Sequence, residues 1–179
     1  MPIPVLDGFI AGEKVTAAKL TNHTKTALEQ AVLNKPIGML NAGVTGQTVA
    51  SSGTFSLMNI QNVVFDTDDI CDPTNSKLII RTPGIYRLTA QTCWLPPANN
   101  AAATGFRGAG IRVDINTFPS IVSMLPITSV AARLNTSVLH RLNVGSQVWL
   151  LGAQTQSGSN LTTATDFGGC FLSAEWVAA

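Results

Sequence analysis

Charge is what this sequence has least of. Asp, Glu, Lys and Arg together make up 12% of its 179 residues, about half the share usual in soluble domains. A lone folded chain with so few charges would have a poorly solvated surface. Much of that surface is therefore expected to be buried in an oligomer or a larger assembly. The net charge is +1, which leaves no basic field for nucleic acid. No run of about 18 apolar residues occurs, so no membrane-spanning helix is expected. The opening residues, Met1 to Asp7, are few and interrupted by Pro2 and Pro4, unlike a signal peptide. The three cysteines, Cys71, Cys93 and Cys170, are odd in number and widely spaced. They fit neither a disulfide frame nor a zinc site, and read as buried free thiols in a protein made in a reducing cytoplasm. Only two histidines occur, His23 and His140, far apart in the sequence. There is no Gly-x-Ser-x-Gly elbow. The residues point to no nucleophile–base pair, so neither an enzyme nor a cofactor is expected.

What is present is short β-type runs. The stretch 78–90 sets the pattern. Two runs rich in Ile and Leu are joined through Thr82-Pro83-Gly84, a pair of residue types that punctuates regular structure. After Gly84, Tyr86, Leu88 and Ala90 alternate with Ile85, Arg87 and Thr89, the period of a half-buried strand. Read locally, this is strand, turn, strand in one antiparallel sheet. Further strands are expected over 37–40, 54–57, 63–66, 77–81, 85–94, 110–115, 121–125, 137–142, 147–154 and 168–177. Segments rich in Gly, Asn, Ser, Thr and Pro separate them. About ten short strands without interposed helices predict a sandwich or jelly roll.

The first 35 residues differ. Pro2 and Pro4 stand among Ile3, Val5, Leu6, Phe9 and Ile10, which predicts an extended apolar arm that docks onto a partner or, as the plainer alternative, folds back on its own domain. Residues 16–33 read as the one helix. Thr16 is its N-cap, and Leu20, Thr24, Ala27, Leu28, Ala31 and Val32 form a thin stripe. Lys35-Pro36 ends it. So weak a stripe needs a partner: a symmetry mate, its own sheet, or a larger assembly. The expected division is an attachment arm and helix over 1–35 and a β domain over 36–179.

Several motifs, in this order, resemble the C1q/TNF-like family. Phe65 is followed by a polar turn ending near Asp72 to Asn75. Leu78 precedes Gly84-x-Tyr86-x-Leu88. Gly110-Ile-Arg-Val-Asp-Ile-Asn116 looks like a middle strand and its turn. Leu139-x-x-Leu-Asn-Val-Gly145-Ser-Gln-Val148-Trp149-Leu150 and Phe167-Gly-Gly-Cys-Phe171-Leu-Ser-Ala174 look like the last strands. The resemblance covers roughly residues 55 to 177. It implies a ten-strand jelly roll that assembles as a homotrimer. Tyr86, Trp149 and Phe171 would lie on its inner sheet and, with Leu88, pack in the core or along the trimer axis. The lead Phe9-Ile-Ala-Gly-Glu-Lys-Val-Thr16-Ala-Ala-Lys-Leu20-Thr-Asn is similar to the opening of many small bacteriophage virion proteins of the minor tail type.

Other residue groups invite chemistry. Asp66, Asp68, Asp69 and Asp72 offer hard oxygen ligands for Ca²⁺, but they lack the Gly and final Glu of an EF-hand loop. They read first as a solvated turn, and no metal site is assigned. Asn22, Asn135 and Asn160 fit glycosylation acceptor patterns, which chance explains in a Thr-rich sequence. Trp94, beside Pro96 and Pro97, is the candidate for surface recognition, together with Pro97 itself.

The expectation is a non-enzymatic bacteriophage virion protein without a cofactor. It would be a homotrimer held to major capsid or tail proteins through Ile3, Val5, Phe9, Ile10 and Leu20, and would most simply decorate the capsid. Two alternatives stand beside it: a tail adhesion module on a host surface, and a soluble glycan-binding module.

Overall fold

A computed structural model describes residues 35–44, 46–96, 104–125, 131–156, 160–165 and 169–179. The expected arm and helix fall outside these residues, and with them Ile3, Val5, Phe9, Ile10, Leu20 and His23. Pro97 and Phe167 do so as well.

The described chain is all-β. Its strands are β1 (Ile37–Asn41), β2 (Thr48–Val49), β3 (Ser56–Leu57), β4 (Asn62–Asp66), β5 (Cys71–Asp72), β6 (Lys77–Ile79), β7 (Gly84–Trp94), β8 (Arg107–Val113), β9 (Thr117–Met124), β10 (Ala132–Leu142), β11 (Gln147–Gln154), β12 (Leu161–Thr162) and β13 (Phe171–Ala178). One sheet has the order β10-β7-β13-β1-β4 and faces a second of order β5-β6-β11-β8-β9. β3 pairs with β11 beyond β6, and β2 with β12. All pairings are antiparallel. This is a jelly-roll sandwich, as the strand pattern predicts.

The core forms where the two alternations meet. Leu40, Tyr86, Leu88, Leu172 and Ala174 from one sheet pack against Ile111, Val148 and Leu150 from the other, all buried. Burying each of these Leu, Ile and Val side chains contributes about 1.5–3 kcal/mol. The Tyr86 hydroxyl donates to the Thr82 carbonyl at 2.7 Å, so the one tyrosine is buried without an orphaned polar atom.

Thr82-Pro83-Gly84 does not close a hairpin. β6 pairs with β5 and β11, whereas β7 pairs with β10 and β13. The turn carries the chain from one sheet to the other. The local pattern marks a turn but does not reveal which sheet each flanking strand joins. The four two-residue strands (β2, β3, β5 and β12) are too short to show a period. β10 begins at Ala132 rather than at residue 137. Arg133, Asn135 and Ser137 there alternate with Leu134, Thr136 and Val138, a pattern with only two apolar members.

Strand directions define two ends. One carries the start of β1, the Asp66–Ile70 turn, the start of β7, the end of β13, and the turns 114–116 and 143–146. The opposite end carries residues 42–44 and the end of β7.

Candidate functional site

The carboxylates of the Asp-rich turn serve the backbone. Asp66 accepts from the amides of Ile70 at 3.0 Å and Cys71 at 2.8 Å. Asp68 accepts from the Thr82 hydroxyl at 2.9 Å. Asp72 accepts from the Asn75 side chain at 2.9 Å and its amide at 3.1 Å, and these bonds hold its carboxyl below the usual range. Asp69, at a left-handed φ of 51°, pairs loosely with Arg81. Among the described residues, no group of three or more His, Cys, Asp or Glu is arranged to hold a metal ion. His140 stands opposite Tyr86 on β10 and β7.

All three cysteines are free. Cys71 is half-buried beside Asp66. Desolvation first, then that carboxylate, pushes its thiol up to about 12. Burial likewise raises the Cys170 thiol.

Trp94 is not a surface residue. It is fully buried, and its indole donates to the Thr92 hydroxyl at 3.0 Å. Room for it comes from Gly152, whose missing side chain lies against the Trp94 ring and Met58. The proline pair after it signals a loop, yet Trp94 itself still belongs to the strand. Trp149 also departs from expectation. It lies on β11, in the sheet opposite Tyr86 and Phe171, and alternates outward from buried Val148 and Leu150. Lys77, Trp149 and Arg112 form one cross-strand row. The Arg112 guanidinium lies 4.2 Å from the ring centroid and Lys77 Nζ 5.9 Å. Tyr86 and Leu88 are core residues. Phe171 sits on the outward side of β13, half-buried, opposite Gln91 and Asn41.

Arg107, which sequence reading did not single out, is 1% exposed. Its guanidinium donates to the carbonyls of Thr104 and Phe106 and to the Gln156 side chain, at 3.2, 3.0 and 2.8 Å. Burial lowers its pKa. It joins two loop segments at the end opposite the β1 start.

The surface feature that stands out is a pair of apolar edges. Among the described residues, β4 is the outermost strand of its sheet. It presents Val63, Val64 and Phe65 with 43%, 46% and 39% exposure, and no Lys, Arg or Pro protects it. On the other flank β9 and β10 lie side by side, tied by the Ser120 and Thr136 hydroxyls. They expose Phe118, Ile121 and Leu139 at 50%, 51% and 58%. Two different apolar patches thus occupy opposite flanks of one sandwich.

No family model matches the sequence, and no curated protein matches it. The fold does have relatives among solved structures. Murine APRIL aligns with a TM-score of 0.58 at 11% identity, covering 79% of this chain and 98% of that one. Eiger TNF from S. frugiperda aligns at 0.60 and 9%, covering 81% and 94%. The globular domain of zebrafish complement 1qA aligns at 0.57 and 10%, covering 80% and 97%. Identity this low carries the architecture alone, and with the two facing five-strand orders it shows that this chain has the TNF/C1q-like jelly-roll fold.

Proposed function

We propose that the protein is a non-enzymatic structural component of a bacteriophage virion, a homotrimer anchored by residues 1–35 that decorates and stabilises the capsid surface. The observation that carries the oligomer is the pair of unlike apolar flanks. A surface patch that meets a different patch on the next copy makes a heterologous contact, and such contacts form a ring when the rotation between copies closes. The likeness of the fold to C1q/TNF-like domains supports three copies. The apolar lead from Ile3 to Ile10, the phage-like segment from Phe9 to Leu20 and the low charge support the virion. Decoration would act by burying additional area across neighbouring capsid subunits, which resists expansion of the shell. The same lead also fits attachment at the tail, where the head would serve adhesion. Glycan recognition through Trp94 is disfavoured, since that ring is buried.

Light scattering on the purified protein, followed by its addition to virus particles assembled without it and imaging, tests the reading. A trimer bound at capsid lattice positions supports decoration. A trimer bound only at the tail moves the function to adhesion. A monomer that binds no particle overturns the proposal.

A further inference from the structure

The end of the sandwich that carries the β1 start has two features that belong together. The first is where the preceding chain arrives. Lys35 and Pro36 are fastened there, the Lys35 carbonyl by the Thr67 hydroxyl at 2.7 Å and the Pro36 carbonyl by the Trp176 amide at 2.8 Å. Lys35, the first described residue, thus lies at this end. The second feature is the residue type at its turn tips. Ile115 and Val144 stand at the tips of the turns 114–116 and 143–146, 80% and 64% exposed. Asn, Asp, Ser and Gly are the residues such turns favour, and both turns use them in every other position.

Hydrogen bonds brace the two turns and join them to each other. The Asp114 amide donates to the Gln147 carbonyl at 2.8 Å, and the Gln147 amide donates to Asp114 Oδ1 at 2.9 Å. The Gly145 amide donates to the Ile80 carbonyl at 2.8 Å. Side chains on braced turns can be buried by a partner with little further loss of conformational freedom.

We propose that this end is a second contact with the anchoring surface, with Ile115 and Val144 seated on an apolar protein surface of the virion beside the site where residues 1–34 attach. The inference rests on the anchoring described above. The chain's own exit point selects the partner, because a head tethered at Lys35 presents this end to whatever holds its N-terminal segment. Each further copy in a ring adds another pair of tips to the same plane, so modest contacts multiply through effective concentration.

The test uses the full chain and virus particles assembled without the protein. The double variant Ile115→Ser with Val144→Ser is compared with Val44→Ser with Leu125→Ser, which alters two exposed residues at the opposite end. Melting temperature and oligomeric mass are expected to match wild type in both. Apparent affinity for the particles is expected to fall about tenfold or more in the first variant and by less than about twofold in the second. Should the first variant lose stability, the isosteric Val144→Thr alone is expected to keep the fold and still weaken binding. Equal binding by all variants, while wild type binds, overturns this inference and leaves the anchoring intact. Wild type that binds no particle overturns both. A wild-type mass twice that of the variant oligomer would identify these tips as an end-to-end contact between copies and would also overturn the inference.

Discussion

Trp176 lies directly against Gly84: any Cβ placed on that glycine would collide with the indole Nε1 and with the Ala178 carbonyl. The indole meanwhile donates to the Pro83 carbonyl at 3.3 Å. Gly84 also holds a φ of 156°, which L side chains rarely adopt. The crossing between sheets thus depends on a residue without a side chain. Gly84→Ala is expected to destabilise the fold by about 3 kcal/mol, read as a lower urea midpoint with an unchanged slope. A variant as stable as wild type would show that the crossing tolerates rearrangement.

Tyr86→Phe removes one oxygen from the core and leaves the Thr82 carbonyl without its 2.7 Å donor. The expected cost is about 1–2 kcal/mol, measured by thermal or denaturant unfolding. The aromatic packing is untouched, so a loss well above this range would mean that the hydroxyl orders more of the 82–84 turn than its single bond implies.

The two apolar flanks make a prediction about mass. Phe65→Asp on β4 and Leu139→Asp on β10 each place a charge in a patch that the assembly would bury. Each alone is expected to weaken association at least tenfold, seen by light scattering as a shift toward the monomer at matched concentration. Circular dichroism is expected to remain that of the wild-type fold, since both positions are exposed in one chain. If neither variant shifts the mass, the flanks are not the interface.

Cys71 supplies a pH test. Its folded thiol is pushed up to about 12 from an ordinary 9.0. The folded state therefore holds this proton more tightly than the unfolded chain does. The associated stability is fully present below pH 9, and is lost as pH rises from the unfolded value through the folded one. Between these values unfolding is expected to become easier in wild type, and less so in Cys71→Ser. At pH 8 the folded thiol is expected to react with a thiol-specific reagent at least about tenfold more slowly than a free cysteine does.

Much of the architecture was legible because long strands carry their own period. Tyr86, Leu88 and Ala90 on β7 announce an inward face, and the structure buries all three. The misplacements have one physical origin: alternation identifies two faces without saying which element covers each. Trp149 sits between Val148 and Leu150, and both sets along β11 are apolar, so nothing local marks the tryptophan as the outward member. Its partners Lys77 and Arg112 come from distant strands. Trp94 reads as a loop residue from Pro96 and Pro97, whereas the signal for its burial is a glycine fifty-eight residues later, at Gly152 (152 − 94). The flanks were not legible at all. Val63, Val64 and Phe65 look like an ordinary buried strand until the sheet order leaves them outermost.

The start of β1 and the end of β13 share one end of the sandwich, joined by the Trp176 amide and the Pro36 carbonyl. For anyone wishing to display a cargo on this scaffold, that geometry decides the route. A passenger fused after Ala179 emerges at the same end as the start of β1. One inserted between Gly43 and Val44 emerges at the opposite end instead. A linker joining the end of β13 to the start of β1, with the chain opened between Gly43 and Val44, would yield a permuted β domain whose new ends lie at that far side.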